Sequence, residues 1–215
     1  MRVATVDGLV TLFYDGSKEL WNRQLDIEWW DAQHRRNHDE DDDVETLDVS
    51  ALDVSDECRE YWRERFSWQQ IIIVEGVTDI PYMTFSGCKN IKRVIFSNTV
   101  IRIEQCAFIS CKNLVYIKWS MNLEYIGPYA FEECNLSSAF IPPRCREICE
   151  SAFQCNENLS IFHVPQDTEL GQGIIKCTSF AKASPPMAGD YNFMQTIRMN
   201  RWIKTMNNEE EFVLH

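Results

Sequence analysis

No run of 18 apolar residues occurs in this 215-residue chain, so no membrane-spanning helix is expected. The opening residues, MRVATVDGLVTLFYDG, lack the apolar core of a secretory leader. Basic residues are few: 21 Lys and Arg stand against 33 Asp and Glu, a net charge of −12. That balance argues against nucleic acid, whose binding depends on cations that neutralise phosphates. It leaves no basic patch for an anionic membrane surface either. Neither type of glycine-rich phosphate loop is present, nor a Gly-x-Ser-x-Gly nucleophile elbow. His34 and His38 are four apart, but Arg35 follows the first where a zinc protease needs Glu. The expectation is a protein that is not an enzyme, with no cofactor and no metal. An enzyme with its site in the flanking segments is a weak alternative.

The nine cysteines form no CxxC pair. Without a leader they read as reduced thiols, which points to the cytoplasm or nucleus. Two triplets, Asn135-Leu136-Ser137 and Asn158-Leu159-Ser160, match the glycosylation acceptor, but this matters only in an exported protein. Acidity is concentrated in one place: Asp39 to Glu57 holds 10 acids and no Lys or Arg. Residues 34–57 therefore read as a disordered acidic insertion, whose charge would attract a basic partner.

An internal repeat dominates the remainder. Phe85, Phe108, Phe131 and Phe153 fall 23, 23 and 22 residues apart, and Ile80, Ile103, Ile126 and Ile148 keep the same step. Cys88, Cys111 and Cys134 each sit three after a Phe, and Asn156 takes that place in the fourth repeat. One residue is missing between Cys134 and Leu136, which accounts for the shorter step. Each repeat leads into a strand-like segment: WQQIII from Trp68, IKRVIF from Ile91, LVYIKW from Leu114, LSSAFI from Leu136 and LSIFHV from Leu159. Positions one, four and six are apolar, and four and six obey the two-residue period of a strand with one buried face. Pro142 and Pro165 close two strands, where a missing N–H does no harm. Repeats of about 20–29 residues with this pattern mark leucine-rich-repeat solenoids. The fold class is an α/β solenoid: a parallel strand ladder, β-rich with few short helices, and small non-repeat caps at both ends.

The motif Ile-x-x-x-Ala-Phe-x-x-Cys-x-x-Leu-x-x-Ile-x-(Ile/Val)-Pro resembles the BspA-type leucine-rich repeat over residues 68 to 178. The resemblance implies a right-handed, β-rich solenoid used for protein recognition, in a family with surface adhesins as well as intracellular members. Thr84-Phe85 replaces Ala-Phe in the first repeat, and after Leu170-Gly171 the pattern decays, with Ile175 at the Phe position. This last unit reads as a degenerate, capping repeat.

The flanks divide at residues 33, 57 and 178. Residues 1–33 give a hairpin signalled by Asp7-Gly8 and a helix capped by Ser17. The solenoid takes residues 58–178, opening with a short helix over CREYWRERF. After Ser184-Pro185-Pro186, Asp190 caps a helix over 190–207 with Ile197, Trp202 and Ile203 on its apolar side. If strand positions one, four and six point inward, positions three and five face outward. They offer Arg93, Tyr116 and Ile161 in one column and Ile95, Lys118, Phe140 and His163 in the other, with Gln70 at the head of the first. Apolar exposed columns of this kind mark interaction sites. The expected function is a non-catalytic module that binds a protein partner on the concave strand face. A cell-surface adhesin is the alternative.

Overall fold

The computed structural model describes residues 2–16, Glu28 and 55–179. The acidic run up to residue 54, the helix expected after its Ser17 cap apart from Glu28, Ser17 itself, and the 190–207 helix lie outside the described residues.

Strands β1 (Arg2–Val6) and β2 (Leu9–Tyr14) form an antiparallel hairpin. Its turn has Asp7 at φ 50° and Gly8 at φ 78°. Two successive left-handed residues make the turn whose twist matches a hairpin, and Asp-Gly tolerates it best. Helix α1 (Asp56–Ser67) follows. Ser55 caps it by accepting from the Cys58 N–H, at 3.1 Å. Asp56 and Glu57, which the charge run groups with the acidic insertion, form the first turn of this helix. The positive end of the helix dipole favours carboxylates there.

The solenoid then builds two parallel ladders. One contains β3 (Gln70–Ile73), β5 (Arg93–Ile95) and β7 (Tyr116–Lys118), followed by β9 (Ser138–Phe140) and β11 (Ile161–His163). The other stacks two-residue strands: β4 (Asp79–Ile80), β6 (Arg102–Ile103), β8 (Tyr125–Ile126), β10 (Glu147–Ile148) and β12 (Glu169–Leu170). Ile80, Ile103, Ile126 and Ile148 are all fully buried. Between the ladders runs the Phe spine. Phe85, Phe108, Phe131 and Phe153 are wholly buried, with ring centroids 5.0, 5.2 and 5.4 Å apart and planes within 23°. Tyr14 closes the spine's first end, edge-on to Phe85 at 5.2 Å.

The cysteine column explains its own exception. Cys111 and Cys134 donate their thiols to the carbonyls of Phe85 and Phe108, one turn back, at 3.1 and 3.3 Å. Asn156 donates Nδ2 to Phe131 O at 2.7 Å. The column calls for a small buried donor that reaches a Phe carbonyl one turn back, and either chemistry supplies it. The glycosylation-type asparagines have a structural role too. Asn158 Nδ2 donates to Asn135 Oδ1 at 2.6 Å, Asn113 donates to Lys89 O one turn back, and Asn90 donates to Phe66 O near the end of α1.

In the first ladder the hydrogen bonds stop between β7 and β9. The residue missing before Leu136 shifts the entering chain. In the regular turns Val115 N reaches Lys92 O and Ser160 N reaches Ser137 O; here Asn135 N reaches Leu114 O instead. The Phe spine crosses the break. Trp119 bridges it as well, stacked on Phe96 and edge-on to both Phe131 and Phe153.

The N-terminal end is sealed on three sides. Strand β2 pairs with β3 in parallel register, Leu12 to Ile71 and Tyr14 to Ile73. In the second ladder, Glu104, Gly127, Cys149 and Gly171 each donate an N–H to the preceding turn. The first-turn counterpart is Pro81, which has no N–H to leave unsatisfied. In the connecting turns, Ala107 O and Ile109 O accept from the Phe85 and Gly87 amides. The matching carbonyls of the first turn, Thr84 O and Ser86 O, have no earlier turn to donate to them. Arg65 from α1 supplies the donors: Nη1 lies 3.2 Å from Thr84 O and Nη2 2.5 Å from Ser86 O. Its side chain is 1% exposed and lies against the Tyr61 and Trp62 rings.

Two outcomes test this account. Phe108→Ala should cost about 3–5 kcal/mol, read as a lower denaturant midpoint in a single transition. A midpoint close to wild type would contradict the spine. Arg65→Met keeps bulk but removes both donors, and should cost about 3 kcal/mol or more. Arg65→Lys should recover little, because one ammonium cannot match a planar fork reaching two carbonyls.

Candidate functional site: the strand face

Strand register sets this surface. Phe13, Ile72, Ile95 and Lys118 align across β2, β3, β5 and β7, and Arg2 pairs with Phe13. Phe140 and His163 continue that column beyond the break. The second column runs Thr11, Gln70, Arg93, Tyr116 and then Ser138, Ile161. Opposite parity puts Ile71, Val94, Ala139 and Phe162 into the core, all buried.

The face is not uniformly open. Gln70, expected to face outward, is 3% exposed, and its neighbour Thr11 is wholly buried. Arg93 and Ile95 are half-buried. Exposure rises at the break. Tyr116 is 37% exposed, Phe140 and Ile161 are 44% exposed each, and Lys118 is exposed too. Beside them Val115 and Met121 are exposed, and Ile117 and Trp119, inward by parity, are only partly covered. The lost ladder bonds thus coincide with the widest apolar exposure on this face.

The side chains pair along the columns. Arg93 lies over the Tyr116 ring at 5.2 Å, and Arg2 over the Phe13 ring at 4.5 Å. Phe140 and His163 stack in parallel, 5.1 Å apart with 7° between planes. Arg2 and Phe13 belong to the face but are missed by reading repeats alone. The pairing of the hairpin onto β3 would have revealed them.

Charge is divided between the ladders. No Asp or Glu occurs in the five strand segments or in β1 and β2, which together hold Arg2, Lys92, Arg93, Lys118 and His163. The second ladder carries the acids: Asp79, Glu147 and Glu169 lie in its strands, and Glu104 follows β6. Its one basic strand residue, Arg102, donates to Glu104 at 2.9 Å and covers the Tyr125 ring at 3.9 Å. Among the described residues no group of three or more His, Cys, Asp or Glu could hold a metal ion.

This geometry agrees with a match to a known family. Residues 60–187 match the model described as the BspA-type leucine-rich-repeat region, in six copies. The chain belongs to the BspA-type leucine-rich-repeat family. The match extends the sequence reading by several residues at each end. Solved structures of leucine-rich-repeat proteins are similar over parts of the chain. A Treponema pallidum leucine-rich-repeat protein is 25% identical, over 51% of this chain and 55% of its own, with a TM-score of 0.48. One from Eubacterium ventriosum is 20% identical over 59% and 32%, with a TM-score of 0.47. A leucine-rich cell-surface protein from Faecalibacterium prausnitzii is 27% identical over 46% and 27%, with a TM-score of 0.45. The chain therefore spans about half the first protein's length and a third of the second's. No curated protein matches it. Among the described residues no helix is long and apolar enough to cross a membrane.

The thiols of this repeat protein make its stability depend on pH. Burial pushes the Cys145 thiol up to about 12 and holds Cys111 well above its ordinary value. A thiol raised in the folded state stabilises fully below its unfolded value, near 9, and that stability is lost as pH climbs toward the folded value. The contribution of these two thiols to unfolding free energy should therefore stay level to about pH 8 and then fall. Each such thiol contributes about 1.4 kcal/mol per pH unit. Cys145→Ala should lower stability at pH 7 yet flatten the slope between pH 9 and 11; an unchanged slope would exclude Cys145 as a source.

Proposed function

We propose that this protein is a non-catalytic interaction module that binds a partner protein on the strand face. The partner surface would combine carboxylates with apolar side chains. The observation that carries this reading is the concentration of exposed aromatic, aliphatic and cationic groups on a face that lacks acid, within a chain of net charge −12. Arg93, Ile95, Tyr116, Lys118, Phe140, Ile161 and His163 would make the contacts, with Arg2 and Phe13 extending them. Exposed apolar patches of this kind favour docking, and Tyr and Arg are frequent anchors. The cations would give orientation and a salt-sensitive on-rate more than affinity. The sign is opposite to that of the 39–57 stretch, so any basic partner drawn by that stretch would dock elsewhere.

A cytoplasmic or nuclear location fits this reading. None of the nine cysteines is paired in a disulfide, and five are buried, as suits a reducing compartment.

The test compares wild type with Ile95→Glu/Phe140→Glu in affinity capture from native cell extract, quantified by mass spectrometry, once circular dichroism shows both variants folded. A partner recovered by wild type should be lost by the double variant, with at least about thirtyfold weaker binding on purified components. Lys118→Glu should slow association and blunt its salt dependence. Identical profiles from wild type and double variant would remove the strand face as the binding surface.

A further inference from the structure

We propose that Cys155 and Cys177 form a reversible disulfide site that clasps the last described turn onto its neighbour under oxidising conditions. The register brings them together. Gly87, Ser110, Glu133, Cys155 and Cys177 occupy one position in successive turns, all with φ between 54° and 67°. The Cys155 N–H donates to Lys176 O at 2.9 Å, just as Ser110 and Glu133 bond to the turns after them. Corresponding residues on adjacent turns lie about 4.8 Å apart, within the Cα range of a disulfide, roughly 4.4–6.8 Å. The two thiols are close enough for Cys177 to add to the upward shift that burial gives the Cys155 thiol.

The other cysteines do not compete. Cys88, Cys111 and Cys134 also share one column, but they are buried, and the latter two donate to Phe carbonyls in the core. Cys106 has Met83 and Tyr129 as its column neighbours, and Cys149 has Gly127 and Gly171, so neither has a cysteine on an adjacent turn. Cys58 and Cys145 are buried. Cys177 is exposed and Cys155 half-buried, so an oxidant reaches this pair first.

The chemistry balances with a small-molecule disulfide as oxidant. The Cys177 thiolate attacks one sulfur of glutathione disulfide, whose S–S bond breaks to release one glutathione thiolate. The Cys155 thiolate then attacks Cys177 Sγ in the mixed disulfide and expels the second glutathione. Two protein thiols are oxidised to one disulfide, one glutathione disulfide is reduced to two thiols, and the thiol protons pass to solvent or to the departing thiolates. Burial beside Cys177, with Glu132 and Glu133 nearby, raises the Cys155 thiol above its ordinary value, so the closing step should quicken with pH.

The experiment incubates the full chain with glutathione disulfide at pH 8 and maps disulfides by non-reducing tryptic mass spectrometry. Free-thiol titration and thermal melting follow, with and without dithiothreitol. The expected result is a fall from nine free thiols to seven, with residues 147–176 linked to residues 177–182. The melting midpoint should rise by roughly 5 °C and fall back on reduction. The link should vanish in Cys155→Ser and in Cys177→Ser and survive in Cys149→Ser, which separates Cys155 from the other cysteine in its peptide. Nine thiols retained, a stable glutathione adduct on Cys177, or a link that persists in Cys155→Ser would each overturn the proposal. Since Cys155→Ser and Cys177→Ser change one atom each, outside the buried core, melting in reductant should match wild type and confirm that both fold.

Discussion

No turn of this solenoid can bury its own phenylalanine. Phe108 and Phe131 are each covered above and below by the rings of neighbouring turns, and that mutual dependence constrains the rest of the solenoid. It demands an almost constant repeat length, because a slip of one residue would send side chains to the wrong face. It demands that each turn's amides and carbonyls find partners on the adjacent turns, because the interior offers no water. It also makes the ends costly, since the first and last turns present half of a binding surface to nothing.

The first turn meets that cost with three unrelated devices. A hairpin strand extends one ladder, a proline removes the donor that the other ladder could not satisfy, and an arginine stands in for a missing turn at the connecting loops. Each answers a different orphaned group. Arg65 shows how a charged residue can be fully buried: its fork meets two carbonyls while two aromatic rings cover its face. Burying this guanidinium is tolerable because the first turn lacks the donors it provides.

Much of this was legible in the sequence. The step of the Phe and Ile columns defines the turns, alternation within the strands defines the faces, and the missing residue before Leu136 marks the irregular turn. What stayed hidden depends on contacts between distant segments. Nothing near Gln70 signals its burial. Arg2 and Phe13 join the face only through the pairing of β2 with β3. The left-handed backbone at Met83, Cys106, Tyr129, Ser151 and Cys155 carries no glycine signature. At these positions inter-turn hydrogen bonds offset a conformation that costs about 1–2 kcal/mol for an L-residue. The substitution of Asn156 for cysteine looks like decay of the motif until the shared acceptor, a Phe carbonyl, is seen.

The break between β7 and β9 also has a mechanical meaning. Hydrogen bonds are lost on one side of the coil only, while the second ladder and the stacked rings run through without interruption. Among the described turns this side is thus divided into two hydrogen-bonded stacks that share one spine and one continuous second ladder. Tyr116 and Phe140 thus stand on either side of a seam that ring packing around Trp119, rather than strand pairing, holds together.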